Sequence, residues 1–108
     1  MTQAQKEKNE FRKSRLWREF RHEMEGRSLG IDALTCKPLH SGWNLHHKDL
    51  KHEHYKDLSP ENFCCLNSKS HETIHFLYPY YKKDKFILER LKKILDEMEA
   101  LENDSKRL

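Results

Sequence analysis

The spacing of four histidines limits what this chain can fold into. His46 and His47 are adjacent, fourteen residues separate them from Asn62, eight separate Asn62 from His71, and three separate His71 from His75. His71 and His75 stand at i and i+4, so on a helix they lie about 40° apart on one face and can point at one ion. Trp43 to His47 alternates apolar and polar residues, as a short strand does. Neighbouring side chains of a strand point to opposite sides, so if one ring of the His46–His47 pair faces an ion shared with the helix, the other is aimed elsewhere. A free imidazole beside such a site titrates near neutrality and suits a general base. Asn62 offers donors and an acceptor for fixing a loop to backbone.

The surrounding pattern supplies the elements this arrangement needs. Residues 1–10 are polar and read as a frayed tail. Over residues 11–26 a helix is expected, because Leu16, Trp17, Phe20 and Met24 form an apolar stripe, with Lys8, Arg12 and Arg15 projecting from the other side. Gly26 and Gly30 bracket a break. Pro38, Gly42 and Pro60 punctuate residues 31–62, and Phe63 to Leu66 is a second short apolar run, so the two runs are expected to pair as a small antiparallel hairpin with a long connection. Asn67 or Ser68 is a candidate N-cap for a helix running to about Tyr78, ahead of Pro79. A last helix is expected over residues 83–103, where Ile87, Leu91, Ile94, Met98 and Leu101 recur at heptad spacing. Two heptads are short for a coiled coil, so the expectation is packing on its own domain.

Composition narrows the functional classes. Charged residues make up 36% and hydrophobic residues 35% of 108 residues, which leaves room for one small core and disfavours a large apolar substrate cavity. Lys and Arg outnumber Asp and Glu by 8 to 5 over residues 1–27, a mild excess where a polyanion would meet the chain. Cys36, Cys64 and Cys65 form no C-x-x-C pair and make a poor disulfide framework, which argues against a zinc ribbon and for a reducing compartment. No apolar stretch approaches a spanning helix or a signal h-region, so a cytoplasmic location and no membrane partner are expected. His52, His54, His22 and His40 read as surface residues, and Trp17 and Trp43 as core aromatics. Cys64 and Cys65 alternate, one inward and one outward. Tyr78, Tyr80 and Tyr81 with Lys82, Lys83 and Lys85 form an aromatic and basic cluster that suits either phosphate contact or a hinge between helices.

The segments LHHKDLK and PENFCCLNSKSHETIH resemble those of the HNH, ββα-metal or His-Me finger, endonucleases. The spacing is also that of the nuclease domains of DNase-type colicins. The overall likeness is greatest to short free-standing HNH proteins of bacteriophages and prophages, whose first helix often carries a pattern like LWREFR. It covers about Leu16 to Tyr78 and leaves the last helix aside. The resemblance implies an α+β fold: a two-stranded hairpin and a helix over residues 34–78, flanked by an N-terminal and a C-terminal amphipathic helix in a single domain of residues 1–108.

It further implies that His46 binds the metal, that His71 and His75 complete the metal and phosphate site, that His47 is the general base, and that Asn62 steadies the loop bearing it. The implied activity is hydrolysis of DNA phosphodiester bonds, by nicking or double-strand cleavage, to 5′-phosphate and 3′-hydroxyl ends. Two departures stand out. The C-x-x-C knuckles of many relatives are missing, and the first ligand, often aspartate, is His46. An imidazole-rich set suits Zn, Ni, Co or Mn better than Mg. Expected partners are double-stranded DNA, contacted through Lys8, Arg12, Arg15, Lys82 and Lys83, with phage packaging proteins as candidates and a monomer or weak homodimer as the assembly. The alternatives are a catalytically silent DNA-binding or packaging accessory protein, and a structural metal-binding domain.

Overall fold

Thr2 starts a helix where a frayed tail was expected. Its hydroxyl accepts from the Gln5 N–H (3.1 Å), while the Gln5 amide oxygen accepts from the Thr2 N–H (3.0 Å), a reciprocal cap that satisfies two end donors. The computed structural model describes residues 1–107, without side-chain detail for His52 and residues 105–107. Its elements are α1 (Gln3–Arg12), α2 (Arg15–Arg27), β1 (Asn44–His47), β2 (Phe63–Leu66), α3 (Ser68–Lys83) and α4 (Ile87–Arg107), with single 3-10 turns at His52–His54 and Pro60–Asn62. Among the described residues the fold is thus α+β, four helices and one two-stranded antiparallel sheet. It forms two compact units, Met1–Glu72 and Thr73–Leu108, and the division falls inside α3.

In the first unit, the helix expected over residues 11–26 begins only at Arg15. Ser14 breaks the chain and caps α2, its hydroxyl accepting from the Trp17 N–H (3.2 Å). Phe11, at the end of α1, meets the rings of Trp17 (5.9 Å) and Tyr55 (5.7 Å). α2 buries Phe20 and Met24, while Leu16 lies 60% exposed and outside the expected stripe.

The hairpin forms with the expected long connection. Asn44 faces Leu66, Leu45 faces Cys65, His46 faces Cys64 and His47 faces Phe63. Phe63 and Cys65 join Phe20, Met24 and Trp43 in the core, and Leu66 is fully buried. Cys65 is inward and Cys64 half-buried, as alternation requires. Burial raises both thiols above their ordinary range, which suits packing rather than nucleophilic chemistry. Arg21 ties α2 to the entry of β1: its guanidinium donates to the Trp43 carbonyl (2.7 Å) and lies 3.7 Å above the indole.

A fully buried carboxylate, Asp32, organises the approach to α3. Its oxygens accept from the N–H groups of Leu34 (2.8 Å), Thr35 (2.7 Å) and Asn67 (2.6 Å) and from the Thr35 hydroxyl (3.0 Å). Burial by itself pushes this carboxyl up, but hydrogen bonds from Thr35, Asn67 and Ser70 outweigh it and hold the pKa at about 2. The Asn67 carbonyl accepts the first helical bond, from His71, while its side chain turns back to the His40 N–H (2.7 Å) and the Pro38 carbonyl (3.1 Å).

Because the folded pKa lies below the ordinary 3.8, the stabilisation from Asp32 is complete above that value and is lost as pH falls toward 2. The loss is expected to reach about 2 kcal/mol. Denaturant midpoints measured from neutral pH down to this window should show it. An Asp32→Asn variant should start less stable and show a flatter profile, and an unchanged profile would refute the assignment.

α3 passes through Pro79 to Lys83 rather than stopping at Tyr78. In the second unit, Asp84 ends the link to α4: its carboxylate accepts from the Phe86 N–H (3.0 Å) and pairs with Arg90. α4 therefore begins at Ile87, four residues later than expected. Large apolar side chains along it are exposed, Leu91 at 38% and Leu101 at 68%. No helix among the described residues is long and apolar enough to cross a membrane.

Candidate metal centre

The alternation of β1 sends its two histidines to different places. His46, only 9% exposed, points toward the first turns of α3, where its ring stands 5.3 Å from that of His71 at an interplanar angle of 70°. His75 follows one turn later on the same helix, so α3 itself carries it to the face that His71 occupies. Ligand nitrogens of His46, His71 and His75 all lie within 4.8 Å of one another, close enough to hold one ion. His46 is enclosed, His71 partly covered and His75 exposed. Three imidazoles with one open side leave room for a further ligand, whereas structural sites are normally closed by four protein groups.

His47 faces the other way. Its ring stacks on Phe63, its cross-strand neighbour, at 4.3 Å between centroids and 11° between planes. Its Nε2 is buried without a hydrogen-bond partner, which is rare for an interior polar atom and unfavourable by about 1–3 kcal/mol. Burial pulls its pKa below the usual 6.5; the carboxylates of Asp49 and Asp57 oppose this and Arg12 reinforces it. The neutral imidazole is therefore the resting form at neutral pH.

Asn62 closes the 3-10 turn Pro60–Asn62 and holds the residue after His47 through its main chain: the Lys48 N–H donates to the Asn62 carbonyl (2.7 Å). The expected link was the side-chain amide; the turn places the carbonyl there instead. His54, expected on a solvated face, pairs through Nδ1 with Asp49 (2.6 Å), whose carboxylate also accepts from the Lys51 N–H. The side chain of His52 lies outside the described residues. Sequence patterns carried no sign of Arg21, because its partner, the Trp43 carbonyl, lies 22 residues away.

The basic residues divide. Lys8 and Arg12 share one face of α1 and line a shallow pocket of about 300 Å³ with Gln5 and Asn9. Arg15 belongs to α2, beyond the Ser14 break, and pairs with Glu19 (2.7 Å), so the expected common basic face of these three is not formed along one helix. Lys82 and Lys83 are exposed at the end of α3, Lys82 lying 5.6 Å from the centre of the Tyr78 ring.

No protein-family model, curated protein or solved structure matches this chain. Its site is defined by geometry: a three-histidine centre with an open side, and a fourth histidine one residue away directed elsewhere. Zn or Ni at about a hundredfold excess over its dissociation constant should stabilise the fold by about 2.7 kcal/mol. That gain would be read as a rise in melting temperature that His71→Ala abolishes. An equal rise in the variant would place the ion elsewhere.

Proposed function

We propose that this chain is a metal-dependent DNA endonuclease of the HNH type, with a ββα-metal core formed by β1, β2 and the first turns of α3. The observation that carries the reading is the division of labour between neighbours: His46 joins His71 and His75, while His47 stays outside the ligand set with a buried, unpartnered nitrogen. A ligand triad alone would fit many metalloproteins. A triad with a separately held neutral imidazole fits hydrolysis.

A divalent ion bound there supplies Lewis-acid stabilisation of the charge that develops on the scissile phosphate and the leaving 3′ oxygen. His46, His71 and His75 would hold that ion in place. With Nε2 enclosed, Nδ1 of His47 is the nitrogen to accept a proton from the attacking water. The Phe63 stack holds the plane of that ring, and the Lys48–Asn62 main-chain bond fixes the end of the strand that carries it. The all-imidazole set favours Zn, Ni, Co or Mn over Mg. Lys8, Arg12, Lys82 and Lys83 are the cations we assign to the backbone of duplex DNA, so affinity should fall steeply with salt.

Relaxation of supercoiled plasmid with Mn, Ni, Zn or Mg, against a chelator control, tests the reading. Metal-dependent appearance of nicked or linear DNA supports it. Binding of DNA without cleavage under every ion would favour the accessory-protein alternative instead.

A further inference from the structure

α4 carries a row of large apolar side chains that stand exposed along its length. Leu88, Leu91, Ile94, Leu95, Met98 and Leu101 are 38–68% exposed. Over 21 residues, at about 1.5 Å per residue, the helix is about 30 Å long. A continuous stripe of large apolar side chains on that scale marks an interaction surface. Away from the stripe the helix is polar, with the i,i+4 pair Lys92–Asp96 (2.7 Å), while Glu97 on its flank stands 3.9 Å from Lys93.

The charges beside the stripe select its occupant. With Leu91 and Met98 at a and Ile87, Ile94 and Leu101 at d, the e positions are Leu88, Leu95 and Glu102 and the g positions Arg90, Glu97 and Asp104. One flank is mostly leucine and the other wholly charged. In a parallel pair each g residue faces the partner's e residue five positions later, which sets Arg90 against a leucine and Glu97 against a second carboxylate, Glu102. In an antiparallel pair e faces e and g faces g. Packing Leu91 against Ile94 of the partner subunit then brings Leu88 against a leucine, Leu95 of the partner subunit. On the other flank it brings Arg90 against an acid, Glu97 of the partner subunit. Two-fold symmetry makes each contact twice.

We propose that α4 pairs antiparallel with α4 of a second copy, so that the chain is a two-fold homodimer. Arg90 already pairs with Asp84, and its guanidinium has donors left for a second carboxylate. Four core layers make a short seam, so the dissociation constant belongs in the micromolar range. The proposal stands apart from the nuclease reading, since it needs neither metal nor DNA.

Sedimentation velocity of the full chain from about 1 to about 200 μM, a span bracketing that affinity, tests it. The expected result is a shift from the 13.2 kDa chain mass to twice that value. The double variant Leu91→Glu, Ile94→Glu should stay monomeric with an unchanged circular dichroism spectrum, because both side chains are exposed in the single chain. E97R should weaken association by about tenfold or more, and adding R90E should restore it. A wild-type monomer throughout, or a dimer indifferent to the double variant, overturns the proposal. Tighter or unchanged association in E97R overturns the antiparallel arrangement.

Discussion

His47→Ala is expected to lower metal-dependent plasmid cleavage by about 10²–10⁴-fold, the usual contribution of a positioned general base, while the ion still binds at one equivalent. The prediction separates two neighbours that composition cannot distinguish. His46 shares ligand space with His71 and His75, so His46→Ala should lose ion and activity together. His47 touches Phe63 and none of the triad's nitrogens need it, so its removal should spare the ion. Cleavage rates at saturating metal, measured beside a metal titration of the same variant, decide the matter. Undiminished cleavage by His47→Ala would remove the base from the proposed mechanism.

The second large effect is on stability. Phe63 is 3% exposed and stands at the junction of the core and the site: its ring meets Phe20 at 4.9 Å and Trp17 at 5.9 Å, and supports the His47 ring. Emptying such a position usually costs about 3–5 kcal/mol, a large share of the roughly 5–15 kcal/mol by which domains are stable. Phe63→Ala is therefore expected to be partly or wholly unfolded at 37 °C, with its far-ultraviolet spectrum reduced. Phe63→Leu, which keeps most of the volume, should lose less than about 2 kcal/mol by denaturant titration. If Phe63→Ala melted within a few degrees of the parent, the small aromatic core would not be what holds the hairpin.

Much of the candidate site was legible because its rules are local. The i, i+4 spacing of His71 and His75 decides their common face wherever α3 lies, and strand alternation parts His46 from His47 without reference to any partner. The cap at Thr2 was equally local. Threonine followed three residues later by glutamine signals a helix start, and the polarity of the first ten residues obscured it. The role of Asp32 was not legible. One of its partners, Asn67, lies 35 residues away, so an acidic residue that reads as a loop position becomes the buried acceptor joining two segments. Asn62 was singled out for its side chain, whereas the bond it makes to Lys48 runs through its carbonyl, because the turn at Pro60 sets which group reaches that N–H.

From residue order alone came the periods, the breaks and the parting of His46 from His47 to opposite faces of a strand, since each depends on backbone geometry repeated every few residues. Which α4 face exists was also readable. That His47 rests on an aromatic floor with one nitrogen enclosed, and that Asp32 sits beneath the start of α3, were decided only by tertiary structure. Burial and long-range hydrogen bonds join residues whose separation along the chain carries no period.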